Sequence, residues 1–339
     1  MKNQLKGLIA GVMLPLVSLP ASALDIVLTN DDGFETPYIQ ALFSALTAAG
    51  HNVVMSAPYL GQSGTGGKIN FLMPIFPTSE PSEEGSVAAG SAGVGPAPAP
   101  FPAQQYYVDG SPSDAVLHGI DVLAPQIFGA APDLVISGPN EGNNLGLITP
   151  HSGTLGATVA GLNKGIPSIA VSADRLDRGD TEEQVAAEAE LIAAVTLRVV
   201  DALDGRHGIK LPRDTGLNIN IPDVDGVEDN VLPEASNFKF KLTKVGRASV
   251  TGLQFYENIG DSPIANLVGI PPQINLPGLS VDIPYTLSNP EDNSRRSEGN
   301  VIDEETLKVT VSPIEGTYAA DQKREQVRNR LHGLFSNHH

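Results

Sequence analysis

The sequence has no cysteine and no tryptophan, and it is short of positive charge. Without cysteine, the chain cannot use disulfides, thiolate catalysis, cysteine-ligated zinc or iron–sulfur clusters. Aromatic residues make up only 5% of the chain, which argues against a surface that stacks on bases. Lysine and arginine number 21 against 39 aspartate and glutamate, for a net charge of −18. Because duplex binding needs clustered lysine and arginine, this balance argues against a nucleic-acid duplex and leaves small anions as partners.

The chain has enough length and apolar content to build a large core. Its 339 residues are 41% hydrophobic and 18% charged, which is typical of a globular protein. The length predicts two domains, or one large α/β domain with an excursion. The sequence shows no internal repeat.

The first 23 residues have the pattern of a cleavable signal peptide. Lys2 and Lys6 precede an apolar stretch at 7–19, and small residues at 21–23 predict cleavage after Ala23. The apolar stretch is too short for a good membrane span, although an uncleaved anchor is the alternative. We therefore expect a periplasmic or secreted protein that does not contact the membrane after cleavage.

The residues that follow predict an α/β fold. The apolar run at 25–29 is typical of a buried strand, Thr36 and Pro37 of a helix start, Gly50 of a helix stop, and 51–56 of a second strand. This order predicts a doubly wound, mostly parallel, Rossmann-like sheet in three layers. Further helices are predicted at 114–123, 152–164 and 182–203, and further strands at 133–137, 168–171 and 217–220.

Composition divides the mature chain in two. Residues 24–222 are predicted to form the α/β catalytic domain, interrupted at 74–105 by a proline-rich stretch with little to bury, which predicts a flexible surface insertion. Residues 223–339 are predicted to form a strand-rich C-terminal subdomain. Its last helix, at 319–334, is amphipathic and basic, and either docks on another subunit or packs on its own domain.

Two adjacent carboxylates, Asp31 and Asp32, lie in the first βα loop, Thr-Asn-Asp-Asp-Gly at 29–33. Ligands of doubly wound sheets bind at the carboxyl ends of strands, and hard cations such as Mg²⁺, Mn²⁺ or Ca²⁺ prefer oxygen ligands. The alternative is that one aspartate caps the next helix and the other is solvated. The loop lacks the Asp-x-Asp of haloacid-dehalogenase phosphatases, and the dinucleotide G-x-G-x-x-G and esterase G-x-S-x-G motifs are missing.

Two further loops carry candidate ligands. Ser63 lies in a glycine-rich loop after the second strand, and Asn140 follows the strand at 133–137. The next helix begins at His151-Ser-Gly-Thr, where free backbone N–H groups suit an anion. Each has a structural alternative: glycine loops and asparagines form turns, and Ser152 is a typical N-cap.

Five motifs occur in an order that resembles the SurE family of nucleotidases and acid phosphatases, the survival proteins. They are Thr-Asn-Asp-Asp-Gly at 29–33, Gln-Ser-Gly at 62–64, Gly-Ser-Pro-Ser-Asp at 110–114, Pro-Asp-Leu-Val-Ile-Ser-Gly-Pro-Asn at 132–140 and His-Ser-Gly-Thr at 151–154. The resemblance implies metal ligation by Asp31, Asp32, Ser63 and Asn140. Pro139 departs from the family's usual isoleucine, and the insertion has no clear counterpart.

The resemblance implies a phosphomonoesterase that uses Mg²⁺ or Mn²⁺ to hydrolyse nucleoside monophosphates, in a homodimer or homotetramer. We expect Asp31 and Asp32 to act in catalysis, with His151 as a further acid–base candidate. Ser152, Gly153 and Thr154 are expected to bind phosphate. The alternative is an exported protein of the same fold that binds metal and nucleotide without turnover.

Overall fold

The computed structural model describes residues 23–174, 181–205, 208–224, 231–248, 252–265, 270–271, 273–282, 295–317 and 323–331. Except for Ala23, the predicted signal peptide lies outside these ranges, and so do residues 319–322 and 332–334 of the predicted terminal helix. Within these ranges, no helix has the length and apolar content needed to cross a bilayer.

The described part of the chain holds eleven strands and six α-helices. The strands are β1 Asp25–Thr29, β2 Asn52–Pro58, β3 Val94–Pro96, β4 Gln105–Val108, β5 Leu134–Glu141, β6 Ser168–Ala173, β7 Thr215–Ile221, β8 Lys239–Leu242, β9 Gly252–Tyr256, β10 Gly278–Asp282 and β11 Lys308–Glu315. The helices are α1 Pro37–Ala48, α2 Pro112–His118, α3 Ala124–Ile127, α4 Gly153–Asn163, α5 Glu182–Leu203 and α6 Arg324–Arg330.

The central sheet has the strand order β3-β4-β2-β1-β5-β6-β7-β11-β8. All pairs from β4 to β7 are parallel, whereas β3 and β11 each run antiparallel to their neighbour in that block. This confirms the predicted fold class. Strand β1 lies between β2 and β5, so the chain leaves it toward one side and later returns on the other. That reversal makes the carboxyl end of β1 the expected ligand site.

Helices cover both faces of the sheet. Ile26 and Leu28 of β1 pack into the larger apolar core, to which α1 and α5 contribute. Val27 points to the opposite face and packs in a second core under α2 and α4. All three side chains are fully buried. The alternation explains why β1 reads as a continuous apolar run, since a strand buried on both faces has no polar side.

The sheet continues past the predicted boundary at residue 222. Strand β11 pairs antiparallel with β7 and parallel with β8, so the C-terminal part of the chain supplies two strands of the central sheet. Strands β9 and β10 form a separate antiparallel pair, with Phe255 and Leu279 exposed. The sheet extends past the predicted boundary because β11 covers the hydrogen-bonding edge of β7, which residues 24–222 alone leave open.

The proline-rich stretch at 74–105 also differs from expectation, because it contributes to the core. Val87 and Ala97 are buried within the larger apolar cluster. The Phe101 ring meets Phe34 edge-on, with 5.3 Å between ring centroids. Small apolar side chains between prolines and glycines give no periodic signal, so the sequence pattern hid this packing.

Candidate active site

The loop after β1 is shaped by Asn30. The Asn30 amide Nδ2 donates to Gly33 O at 2.8 Å, and Gly33 N donates back to Asn30 Oδ1 at 3.3 Å. Gly33 has a φ of +115°, which favours glycine. The tight turn places Asp31 and Asp32 at the carboxyl end of β1. Sequence reasoning missed Asn30, although an asparagine three residues before a glycine is a known turn signal.

Asp31 is buried beneath the start of α4. The Thr154 hydroxyl donates to Asp31 Oδ1, and the backbone N–H groups of Gly153 and Thr154 also favour the carboxylate. Burial outweighs these donors and raises the pKa of Asp31 to about 6.

Gly153 is required for this contact. A Cβ atom built on Gly153 would lie 2.8 Å from Asp31 Cβ and 3.0 Å from Asp31 Oδ2. Any side chain would push the helix start away from the carboxylate, so the glycine of the Ser-Gly-Thr motif has a steric reason.

Asp32 lies half-buried beside its neighbour and accepts a hydrogen bond from Glu141 N at 3.1 Å. Burial, and then the charge of Asp31, hold the pKa of Asp32 well above its usual range. The charge of Asp31 therefore opposes the ionisation of Asp32 at this strand end.

Ser63 and Asp32 line one cavity of about 370 Å³. Ser63 is exposed, and its loop is tied to the acid pair because Gln62 N donates to Asp31 O at 2.7 Å. Asn140 is buried at the end of β5, directly before the residue whose N–H contacts Asp32. Its Nδ2 donates to Gly142 O at 2.6 Å, which orients the amide. The structure thus brings Asp31, Asp32, Ser63 and Asn140 to one edge of the sheet.

Two of the residues predicted to bind phosphate make hydrogen bonds within the protein. The Ser152 hydroxyl caps α4 by accepting from Leu155 N at 3.2 Å, and the Thr154 hydroxyl is fully buried against Asp31. His151 is exposed, and its carbonyl accepts from Gly66 N at 2.9 Å. Phosphate binding by 152–154, and an acid–base role for His151, stay predictions.

A layer of asparagines lies behind Asp31 and was not predicted. Asn144 Nδ2 donates to Ser172 Oγ at 2.9 Å and to Thr154 Oγ1 at 3.3 Å, while Asn144 N donates to Asn220 Oδ1 at 2.8 Å. These contacts hold Thr154 in place under the carboxylate. The available signal was the alternation of Asn218 and Asn220 on β7, which places two polar side chains on one face of a buried strand.

The chemistry of the donor set fits a hard divalent cation. No group of three or more histidine, aspartate or glutamate side chains in the described ranges is spaced to hold a metal. The predicted ligands are instead two carboxylates, a hydroxyl and an amide, all of them oxygen donors of the kind that Mg²⁺ and Mn²⁺ accept. A cation would also favour the charged form of both aspartates, whose pKa values are raised by burial and, at Asp32, by the charge of Asp31.

Comparison with known proteins decides the family. The sequence model described as "Survival protein SurE" matches residues 26–251, which contain every predicted site residue. The chain belongs to the SurE family. A solved structure described as "Sure Protein from Aquifex aeolicus" superposes with a TM-score of 0.60 at 25% identity, over 90% of this chain and 98% of that one.

Relatives in the SurE family carry two kinds of name. "5'-nucleotidase SurE" of Desulfitobacterium hafniense strain DCB-2 is 32% identical over 237 residues, covering 70% of this chain and 74% of its own. "5'-nucleotidase SurE 1" of Thermus thermophilus is 34% identical over 232 residues, covering 68% and 79%. "Acid phosphatase" of Yarrowia lipolytica is 36% identical over 219 residues, covering 61% of this chain and 59% of its own length.

Proposed function

We propose that this SurE-family chain is a metal-dependent phosphomonoesterase that hydrolyses nucleoside monophosphates. The observation that carries the proposal is the adjacent pair Asp31 and Asp32 at a strand end, where burial and the charge of Asp31 raise the pKa of Asp32 and favour a cation. The names of the relatives, 5′-nucleotidase and acid phosphatase, supply the reaction class.

The proposed metal ligands are Asp31, Asp32, Ser63 and Asn140. When bound, Mg²⁺ or Mn²⁺ polarises the phosphoryl group and lowers the pKa of bound water. The buried Thr154 hydroxyl holds the Asp31 carboxylate in place, and one of the two aspartates takes up the proton that the attacking water loses. His151, exposed just before the start of α4, is the candidate donor of a proton to the leaving oxygen.

Phosphate should be held at the start of α4. The first-turn N–H groups of a helix attract anions, and Gly153 brings this helix start close to the acid pair. Because Asp31 already engages some of these donors, the substrate phosphate must share them or use the remaining ones at 152–154.

The test is phosphate release from nucleoside 5′- and 3′-monophosphates of several bases, with chelator and with added Mg²⁺ or Mn²⁺. We expect release that the chelator abolishes and the metal restores. Metal and nucleotide binding without phosphate release would instead support the non-catalytic alternative, which the enzyme names of the relatives disfavour. Release that is unaffected by chelator would refute the metal site.

We also propose export and self-association. Leu24, the first residue after the predicted cleavage site, is buried and its N donates to His51 Nδ1 at 3.2 Å, so the proposed new N-terminus has a defined place in the fold. Mass spectrometry of the protein from a periplasmic fraction should find Leu24 as the first residue, and retention of Met1 there would contradict cleavage.

Light scattering should give a homodimer or homotetramer, and a monomeric mass would refute self-association.

A further inference from the structure

The cavity beside Asp32 is walled by negative charge. Five carboxylates line it, and none of the described lining residues is lysine or arginine. These carboxylates belong to Asp32, Glu35, Glu83, Glu84 and Glu141. Only Asp32 belongs to the proposed metal ligands, so the function above leaves the other four unexplained.

Two of the four come from the proline-rich stretch, in an acidic turn that we define as residues 82–86. Glu35, in the loop before α1, fixes this turn in place. Its carboxylate accepts from Ser82 Oγ at 2.9 Å, Glu84 N at 2.9 Å and Ser86 N at 3.1 Å, and from the Ser86 hydroxyl. A carboxylate with four donors is a strong anchor. The acidic turn therefore holds a fixed position over the cavity.

Glu83 reaches from the acidic turn to the loop that carries Ser63. Its Oε1 accepts from Gly61 N at 2.9 Å. A Cβ on Gly61 would lie 3.0 Å from that oxygen, so the glycine permits the close approach. Glu83 and Glu141 line the same cavity as Asp32, so their carboxylates lie beside the proposed metal site.

We propose that Glu83 and Glu84 determine specificity by repelling any phosphate beyond the one being cleaved. The inference rests on the proposed function and names its substrate class: phosphomonoesters whose leaving group is neutral or cationic, rather than bisphosphates, nucleoside triphosphates or polyphosphate. A cation held by the proposed ligands would neutralise the first phosphate, but a second phosphate in this cavity would meet the carboxylates of Glu83 and Glu84. Like charges brought together at a recognition surface disfavour the wrong partner.

The test compares two substrates that undergo the same reaction. Adenosine 5′-monophosphate and adenosine 3′,5′-bisphosphate both present a 5′-monoester, but the bisphosphate adds a charge on the leaving group. Specificity is the ratio of kcat/KM for the bisphosphate's 5′-phosphate to kcat/KM for the monophosphate, at fixed free Mn²⁺. The variants are Glu83→Gln, Glu84→Gln and their double. Glutamine at position 83 keeps an oxygen for Gly61 N. Glu190→Gln, exposed on α5, is the control with the same loss of charge.

In the double variant we expect the ratio to rise by about tenfold, with a smaller rise in each single variant and none in the control. Raising the salt concentration should raise the ratio of the parent, because exposed charges are screened, and should do so less in the double variant. A ratio that stays within about twofold in a folded double variant would overturn the proposal. Loss of the Mn²⁺-induced rise in Tm in Glu83→Gln would also overturn the proposal, since Glu83 would then be a ligand of the cation.

A binding measurement separates this proposal from the proposed function. Thermal shifts with inorganic phosphate and with tripolyphosphate, both with Mn²⁺ present, need no turnover. We expect the parent to be stabilised by phosphate more than by tripolyphosphate, and the double variant to lose that preference. A parent without phosphatase activity but with this preference would refute only the reaction. An active parent without the preference would refute only the role of Glu83 and Glu84 in specificity.

Discussion

Two buried carboxylate sites lie on either side of β6, and they differ in how the protein treats the charge. Glu298 is fully buried and accepts from Gly146 N at 2.9 Å, Asn218 Nδ2 at 3.1 Å and Ser312 Oγ at 2.7 Å. It ties β7 and β11 to the loop that leads into α4. Burial raises its pKa to about 7.

Asp31 and Asp32 also have raised pKa values, but Asp32 has fewer hydrogen-bond donors around it than Glu298. Asp32 accepts one backbone hydrogen bond and has a second carboxylate as its neighbour. A raised pKa is therefore common to a structural site and a candidate active site. The difference lies in the donors: side chains and backbone surround Glu298, whereas Asp32 has one backbone donor, a charged neighbour and a cavity beside it.

The largest expected effect comes from removing the charge of Asp32 at the candidate active site. Asp32→Asn keeps the size of the side chain, so phosphate release should fall by more than about 100-fold, beyond what loss of a supporting contact to a metal ligand costs. In chelator, the urea midpoint should not fall, because the repulsion with Asp31 is gone. Asp201→Asn, exposed on α5, is the matched control and should behave as the parent. Near-normal release, or a lower midpoint, would show that Asp32 is a structural residue.

Substitution of Glu298, in contrast, should lower the stability of the protein. Glu298→Ala leaves Gly146 N, Asn218 and Ser312 without their acceptor inside the core. We expect the free energy of unfolding to fall by about 3 kcal/mol or more, with Glu298→Gln costing less than about 1 kcal/mol. Urea unfolding in chelator measures both. Equal losses in the two variants would mean that the charge, rather than the hydrogen bonding, is needed.

A pH series should separate the sites further. Because the folded pKa of Glu298 is about 7, above its ordinary value of 4.5, folding takes up a proton between these values. Its contribution to stability is complete below about pH 4.5 and is lost as the pH rises through about 7, on the order of 3 kcal/mol in total. Glu298→Gln should remove this slope while the slope from Asp31, between 3.8 and about 6, remains in chelator. An unchanged profile in the variant would exclude Glu298 as its source.

The smallest expected effect concerns the bridge between α4 and the acid pair. Thr154→Val deletes the hydroxyl that donates to Asp31 at nearly constant volume. We expect metal affinity to fall by about tenfold, with the KM for substrate at saturating metal little changed. Thr158→Val, also buried on α4 and bonded to the Thr154 carbonyl, is the control. A raised KM with normal metal affinity would favour a role for Thr154 in phosphate binding.

The sequence predicted the parts of the fold whose determinants are local. Helix α5 has the predicted bounds, and α1 begins at Pro37 and ends before Gly50, because caps, proline and periodic apolar residues lie within the segments themselves. The four ligands that the family motifs imply, Asp31, Asp32, Ser63 and Asn140, lie at one sheet edge, and their metal binding stays a prediction.

The missed features depend on contacts between distant parts of the chain. Glu298 lies 152 residues from Gly146, in a polar segment with no apolar pattern. Glu35 binds the acidic turn from 47 to 51 residues away, and a glutamate before a helix otherwise resembles ordinary surface charge. Pairing of β11 with β7 was hidden for the same reason, since a strand pattern does not name its partner.

The position of β11 has a consequence for how the chain is made. Strand β7 ends at residue 221, but the strand that covers its edge finishes at residue 315. At about 5 to 20 residues per second, a ribosome leaves that edge open for roughly 5 to 20 s. An uncovered edge pairs readily with a second chain. The nascent protein therefore passes through an interval in which a chaperone, or delayed folding, must keep β7 from aggregating.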